Sequence, residues 1–293
     1  PFSSSDASMS EIAISADTYA AQFDILTEQT SIPAPVRALR TKAFACFDRL
    51  GFPTTRLEDW RFTNVAPIAD TPFRVPTDAG SVDPAVLERV PRLGGAELVF
   101  VNGVYAPALS RAANIPTQVR LRSLASVLDD DLDVVAPYLA RLAPFEQHAF
   151  TALNTAFLRD GAVVEVEAGT VVDIPLHLLF LSSSEMAPVL SQPRILVVAG
   201  ENSQVRVVES HAGVAETRYL SNSVTEVHAA DSAVVDHYTL VDDAESAFHI
   251  GGLYATLGRA ANFSSHTITL NGAIVRNEAS VVLGGEGGEC TLN

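Results

Sequence analysis

Cysteine is scarce: the 293 residues include only Cys46 and Cys290. Two cysteines without CxxC spacing exclude a disulfide framework and point to a reducing compartment. Basic residues are also few, 19 Lys and Arg against 35 Asp and Glu, for a formal charge of −16. A phosphate backbone is held by Lys and Arg that displace counterions, so this balance argues against nucleic acid as a partner and does not favour an anionic membrane surface. No window approaches the ~18–20 consecutive apolar residues of a membrane span. The opening PFSSSDAS has no basic n-region, no apolar h-region and no Arg of a transit peptide, so residues 1–8 read as a remnant ahead of a natural start at Met9. The expected location is cytoplasmic.

What the chain does have is 47% hydrophobic residues and a spaced echo in its last part. An apolar run, a small corner and a second apolar run recur five times, with corners at Gly169, Gly200, Ala229, Gly258 and Gly285, spaced by 31, 29, 29 and 27 residues. Runs such as RILVVAGENSQVRVV and SVTEVHAADSAVVDHYTLV are rich in β-formers, and two strands with two turns fit each period. Echoes of this length mean one supersecondary unit stacked on itself. The fold expected is mainly β, a right-handed parallel β-helix preceded by an N-terminal helical region.

Four segments are expected. Residues 1–8 are the remnant, and 9–92 form the helical region and a Pro-rich connector. In the latter, Val36, Leu39, Ala43, Phe47 and Leu50 mark one helical face between Pro35 and Gly51. A weaker helix is expected over Ala16 to Thr27, and a short one near Pro84 to Arg89. Residues 93–160 open with the Asn102-Gly103 hairpin of ELVFVNGVY and continue as helices over Ser123 to Leu142, interrupted at Pro137, and over Phe145 to Leu158. Residues 161–293 are the solenoid. It stops at GGECTLN within a strand, which implies further coils beyond Asn293 or a second subunit over the edge.

Registering the corners predicts two ladders, Val205, Val234, Phe263 and Cys290 in the core and Val208, His237, His266 and Asn293 on the outer face. Coils lie ~4.8 Å apart, so His237 and His266 would sit one above the other, able to share a metal or a hydrogen-bonded partner. The repeat supplies no third metal ligand, and a solvated or interface-packed pair is the simpler reading. Cys290 reads as a small core hydrophobe, or as a reactive thiol if it faces outward. Cys46 reads as packing.

Other attractive residues do not assemble into a site. DDDLD at Asp129 to Asp133 lacks the Gly and terminal Glu of a calcium loop and reads as a solvated helix end. Ser210-His211 and Ser265-His266 are adjacent along strands, which points each pair to opposite faces, the wrong geometry for a nucleophile and its base. GGEGGE lacks the Lys-Ser/Thr ending of a phosphate loop and reads as a tight corner.

Taken in order, RLEDWRFTNV at Arg56, FVNGVY at Phe100, FTALNTAF at Phe150, RDGAVVEVEAGTVVDIPLHLLF at Arg159, PRILVVAGENSQ at Pro193 and LNGAIVRNEASVVLGGEGGECTLN at Leu270 cover nearly the whole chain. This order resembles the SufB/SufD family of the SUF iron–sulfur cluster assembly system, and the Trp60-centred motif favours its SufD branch. The resemblance implies a non-catalytic scaffold that pairs through its β-helix with a SufB-like subunit. It also implies docking of a SufC-like ABC ATPase through a C-terminal helical region absent from these residues. No tightly bound cofactor is implied, only a transient cluster at the complex interface, and no cluster ligand carries over residue by residue. A homodimer is an alternative assembly. Trp60, flanked by Arg56, Glu58, Asp59 and Arg61, reads as an apolar anchor with a charged rim.

Two other readings compete. A β-helix enzyme acting on acidic polysaccharides needs basic residues and an export signal, both lacking here. A self-assembling structural solenoid needs two open ends, and the helical N-terminal region blocks one.

Overall fold

A computed structural model describes residues 19–28, 32–82, 87–88, 90–112, 115–183, 187–213 and 218–293. The expectations for residues 1–8, for 16–18 and for most of Pro84 to Arg89 lie outside the described residues. Residues 19–28 are helical, and α1 (Ala34–Leu50) follows with Pro35 in its first turn and Gly51 at its end, φ 62°. A single helical turn, α2 (Ala66–Ala69), precedes the hairpin β1 (Ala96–Val101) and β2 (Val104–Tyr105). Asn102 and Gly103 both take positive φ, 52° and 79°, as a two-residue hairpin turn requires. After β3 (Val119–Ser123) come α3 (Leu124–Asp130), α4 (Leu132–Val135) and α5 (Ala149–Ala156).

The solenoid is built from β4 (Gly161–Val166), β5 (Leu176–Ser182), β6 (Val189–Ser191), β7 (Arg194–Ala199), β8 (Gln204–Gly213), β9 (Tyr219–Ala229), β10 (Val234–Asp242), β11 (Phe248–Leu257), β12 (Asn262–Asn271), β13 (Ile274–Leu283) and β14 (Glu289–Leu292). Each coil gives one strand to each of two sheets, ordered β14-β12-β10-β8-β5-β1-β2 and β13-β11-β9-β7-β4-β3, with β6 beside β9. Pairing between coils is parallel throughout, over about four turns. At the N-terminal end each sheet closes on an antiparallel strand, β2 on one and β3 on the other. Closing both sheets this way ends the parallel template for further pairing.

The corner repeats in backbone geometry more faithfully than in sequence. Gly169, Asn202, Ser232, Ala260 and Gly287 occupy one left-handed column, φ 73°, 57°, 57°, 54° and 71°. The amides of the first four donate to Glu201, Asp231, Arg259 and Glu286 of the next coil, at 2.7–3.0 Å. Just before Asn202, Ala260 and Gly287, at Gly200, Gly258 and Gly285, the chain passes so close to its neighbour that side chains must be small. A Cβ on Gly200 would lie 2.8 Å from the Val166 carbonyl oxygen, and one on Gly258 2.7 Å from the Asp231 nitrogen.

The helical region covers the outer face of the β13-to-β3 sheet. Val36, Leu124, Val127 and Leu158 pack on Val163 and Leu196, while Tyr19, Phe23, Phe47 and Phe157 continue the layer toward Phe150, Leu220 and Phe248. Trp60 is half-buried, between Phe150 at 5.3 Å and the guanidinium of Arg276 at 4.1 Å from its ring. Arg276 also donates to Thr63 and pairs with Glu278, so the Trp60 segment is tied to β13. Cys46 packs in the same apolar layer. Asp131, within the acidic run, pairs with Arg122 at the helix end.

Both predicted ladders are corrected by a single position, on β10. The observed core ladder runs Val205, Val235, Phe263 and Cys290, not through Val234. The outer ladder pairs Val208 with Tyr238 and Tyr238 with His266, and Asn293 hydrogen-bonds to the strand on both sides of His266. His237 therefore does not stack on His266; its ladder neighbours are Val207 and Ser265. The reason is the tandem Ala229-Ala230: Gly200 and Gly258 align with Ala230, and a one-residue slip turns every following side chain to the opposite face.

Candidate functional site

The lumen between the two sheets is divided along its width. Near the glycine corner it is apolar, filled by Val205, Val235 and Phe263 on one side and Val227, Ala255 and Leu257 on the other, with Cys290 packed against them. Burial pushes the Cys290 thiol pKa up, in keeping with a small hydrophobe rather than a thiolate. Further along the same strands the inward positions become polar: Glu209 and His211 on β8, His237 on β10, Ser265 on β12, and Ser221, Thr225 and His249 on the opposing sheet. All seven are 5% exposed or less. Burial of this kind requires that the groups satisfy one another.

They do so in a chain. Glu209 Oε1 lies 2.8 Å from His237 Nε2 and accepts from Thr225 Oγ1 at 2.8 Å, while His237 Nδ1 lies 2.9 Å from Ser265 Oγ. His211 stacks on Phe180 at 5.0 Å and meets His249 edge-on at 4.7 Å. His249 Nδ1 contacts Asp243 at 3.0 Å, and the Tyr219 hydroxyl donates to the same carboxylate at 2.7 Å. Neither nitrogen of His211 nor Nε2 of His249 has a hydrogen-bond partner among the described residues, although His211 Nε2 lies 3.6 Å from Glu209 Oε2.

The electrostatics follow from burial and pairing. Burial alone would raise the Glu209 carboxyl, but the His237 and His211 imidazoles outweigh it and hold the pKa well below the usual carboxylate range. Asp243 is likewise lowered, burial opposing and His249 prevailing. Burial lowers the His249 pKa against the pull of Asp243. Among the described residues no three His, Cys, Asp or Glu side chains are grouped to hold a metal ion. His237, His266 and Cys290 are not brought together. His266 lies half-buried on the outer face, stacked on Tyr238 at 5.1 Å.

A second constellation lies on the outer side of the other sheet, beneath residues 90–111. Glu97 Oε2 is 2.8 Å from His177 Nδ1, and His177 Nε2 is 2.9 Å from Ser210 Oγ. Arg92 pairs with the same carboxylate. Neither serine uses the histidine beside it in sequence; each partner arrives from a neighbouring coil. The one-dimensional reading missed both, along with Glu209, His211 and His249. The available signal was coil register, which brings residues about 28–33 positions apart side by side.

The motif residues serve to lock mantle to solenoid. Arg194 donates to Glu226 Oε1 through Nε at 2.9 Å and Nη2 at 2.6 Å, and through Nη1 to Asn154 and Thr155. Glu226 also accepts the backbone amides of Ala140, Leu142 and Ala143. Asn154 donates to the carbonyls of Pro193 and Asn222. Asp160, buried where the first coil begins, accepts from the amides of Tyr105, Ala125 and Gly161 and so joins hairpin, α3 and β4. Burial raises its pKa against those three donors. A Cβ on Gly161 would fall 1.8 Å from the Arg194 carbonyl oxygen, so that motif position admits only glycine.

Fold and site together define a two-sheet parallel β-solenoid protein with a helical mantle fastened to one sheet and a polar lumen. Residues 12–178 match the SufBD protein N-terminal region, and residues 180–293 match the SufBD core domain of the SUF system for FeS cluster assembly. The chain belongs to the SufBD family. An iron–sulfur cluster assembly SufBD family protein of Synechocystis sp. is 29% identical over 284 residues, covering 87% of this chain and 62% of the relative. The iron–sulfur cluster assembly protein SufD of Escherichia coli is 22% identical over 249 residues, 84% of this chain and 55% of that protein. The chloroplastic protein ABCI7 of Arabidopsis thaliana is 20% identical over 265 residues, 88% and 55%. The chain thus spans just over half the length of these relatives. Among the described residues no helix is long and apolar enough to cross a membrane.

Proposed function

We propose that this chain is a scaffold subunit of a SUF iron–sulfur cluster assembly complex. Its solenoid mates with a SufB-like β-solenoid subunit, and a SufC-like ATPase is the third component, engaged outside residues 1–293. The iron–sulfur cluster is cargo, built at the interface between subunits rather than held by a ligand set on this chain. The compartment is the cytoplasm, or a plastid where the host has one; the Arabidopsis relative is chloroplastic by name.

The observation that carries this reading is how the helical mantle is fastened to the solenoid. Asn154, Asp160, Arg194 and Trp60 all tie the two together, which holds the solenoid as a rigid rod of fixed shape. Rigidity of that kind suits a surface that mates with a second rod.

Co-expression with the SufB-like and SufC-like subunits of the same source tests the assignment. A tagged chain should retain the SufB-like subunit through gel filtration. Recovery of the chain alone, as a monomer or as a homodimer indifferent to the SufB-like subunit, overturns the pairing.

A further inference from the structure

Arg40 breaks the pattern of its helix. It lies on the buried face of α1 with Val36, Ala43 and Phe47 and is only 2% exposed, which is the setting of a core residue. A guanidinium carries donors alone and keeps its charge at neutral pH. Yet Nε and Nη1 of Arg40 have no hydrogen-bond partner, and among the described residues no Asp or Glu pairs with it. Arg194 shows what the same fold does with a buried guanidinium that the chain itself neutralises: a carboxylate, an amide oxygen and a hydroxyl converge on it.

A second cation stands beside it. Arg159 follows Leu158, and Leu158 packs in one cluster with Val36, a turn before Arg40 on the same helix face. Burial, and then the charge of Arg159, push the Arg40 pKa down to about 10, still well above neutral pH. Arg159 donates through Nη1 to the Pro76 carbonyl at 2.8 Å and through Nη2 to the Thr77 carbonyl, neither of which carries a charge. The carboxylate next in sequence, Asp160, is turned instead to the amides of Tyr105, Ala125 and Gly161. Two guanidinium groups therefore share one corner of the mantle with no paired carboxylate among the described residues. Like charges repel strongly where the dielectric is low, and a buried charge is tolerated when it is matched. One anion between them answers both demands.

We propose that Arg40 and Arg159 hold a small inorganic oxyanion of the phosphate or sulfate class. Several acceptor oxygens on one compact body match donors that arrive from two guanidinium groups. Burial of Arg40 sets the size limit, because a larger anion cannot follow its charged end beneath a side chain that is 2% exposed. Arg159 is half-buried and its Thr77 contact is open to solvent, so the anion enters past Arg159 and stops at Arg40. Once seated, it joins α1 to residues 76–77 and to the start of β4, adding a charged fastening to the mantle. The site is independent of the scaffold role.

Sodium phosphate and sodium sulfate, titrated separately into the purified protein by calorimetry in chloride buffer of matched ionic strength, are the probes. Each should bind saturably with one equivalent per chain. Arg40→Met keeps an unbranched side chain and removes the charge, and Arg159→Met does the same at the mouth. Each should weaken binding about ten- to a hundredfold, the range for a lost hydrogen bond to a charged group, with circular dichroism verifying the fold of each variant. Phosphate should also raise the melting temperature of the unmutated protein with a saturating dose dependence, and not that of R40M. General stabilisation by these salts does not saturate and acts on both proteins alike, so a rise common to the two counts against the site. Adenosine monophosphate should bind more weakly than free phosphate, and equal or tighter binding overturns the small-anion assignment. Absence of saturable binding, or an affinity unchanged in folded R40M and R159M, overturns the site itself.

Discussion

Arg194 and Glu226 are fully buried on the outer face of one sheet, and the guanidinium meets a carboxylate, an amide oxygen and a hydroxyl. Breaking such a pair by removing one charge leaves the other desolvated and unmatched. Glu226→Gln should therefore destabilise the chain by about 3–5 kcal/mol, the range for one-sided loss of a buried pair. Urea unfolding followed by circular dichroism measures this, and a change under ~1 kcal/mol would show that the pair adds little. FTALNTAF and PRILVVAGENSQ give no one-dimensional sign of what Asn154 and Arg194 do, because an arginine in a strand reads as solvated by default. Its partner lies 32 positions on, and only the coil register reveals it. His237 illustrates the same limit: adjacent alanines at 229 and 230 gave the corner two placements, and choosing the first moved a luminal residue to the surface.

At the scale of elements, the corner is where sequence and structure agree best and also where strain accumulates. The repeat was legible because two of the five left-handed positions are glycine and the close-approach positions are small. It was imprecise because Asn202, Ser232 and Ala260 fill the same conformation without glycine. An L-residue with a Cβ pays roughly 1–2 kcal/mol there. Ala260 is exposed, so its methyl contributes little packing in return. Ala260→Gly should raise stability by about 0.5–1 kcal/mol, the relief of left-handed strain less the added freedom of the unfolded chain. Thermal melting checks the sign, and a lower melting temperature would refute the strain. Trp60 tests the mantle in the opposite direction. Trp60→Ala removes the contact between Phe150 and Arg276, and half-burial puts the expected loss at about 2–3 kcal/mol, below the ~3–5 kcal/mol of a fully buried aromatic. An unchanged melting curve would show that the segment is not an anchor.

For the molecule as a whole, the buried imidazoles make stability a function of pH. Burial lowers the folded-state pKa of His249, of His177 and of His228, the first two against the attraction of Asp243 and Glu97. Above the unfolded value of about 6.5 these rings are neutral in both states and pH has no leverage through them. As pH falls below it, the unfolded chain takes up protons that the folded chain does not, so stability declines, by up to ~1.4 kcal/mol per pH unit for each ring. The decline continues until pH reaches the lowered folded values. Glu209 and Asp243 act in the same direction at lower pH. Their folded pKa values are depressed, so their contribution is intact above the unfolded carboxylate range and is lost as pH falls through and below it. Asp160 opposes them, since its raised pKa favours the folded state once it is protonated. Urea midpoints measured from pH 7.5 to 5 should fall steadily below about 6.5, and His249→Asn should flatten that slope while costing stability at pH 7.5. A flat profile in the unmutated chain, or a slope unaltered by His249→Asn, would mean that these imidazoles are not the groups that couple protons to folding.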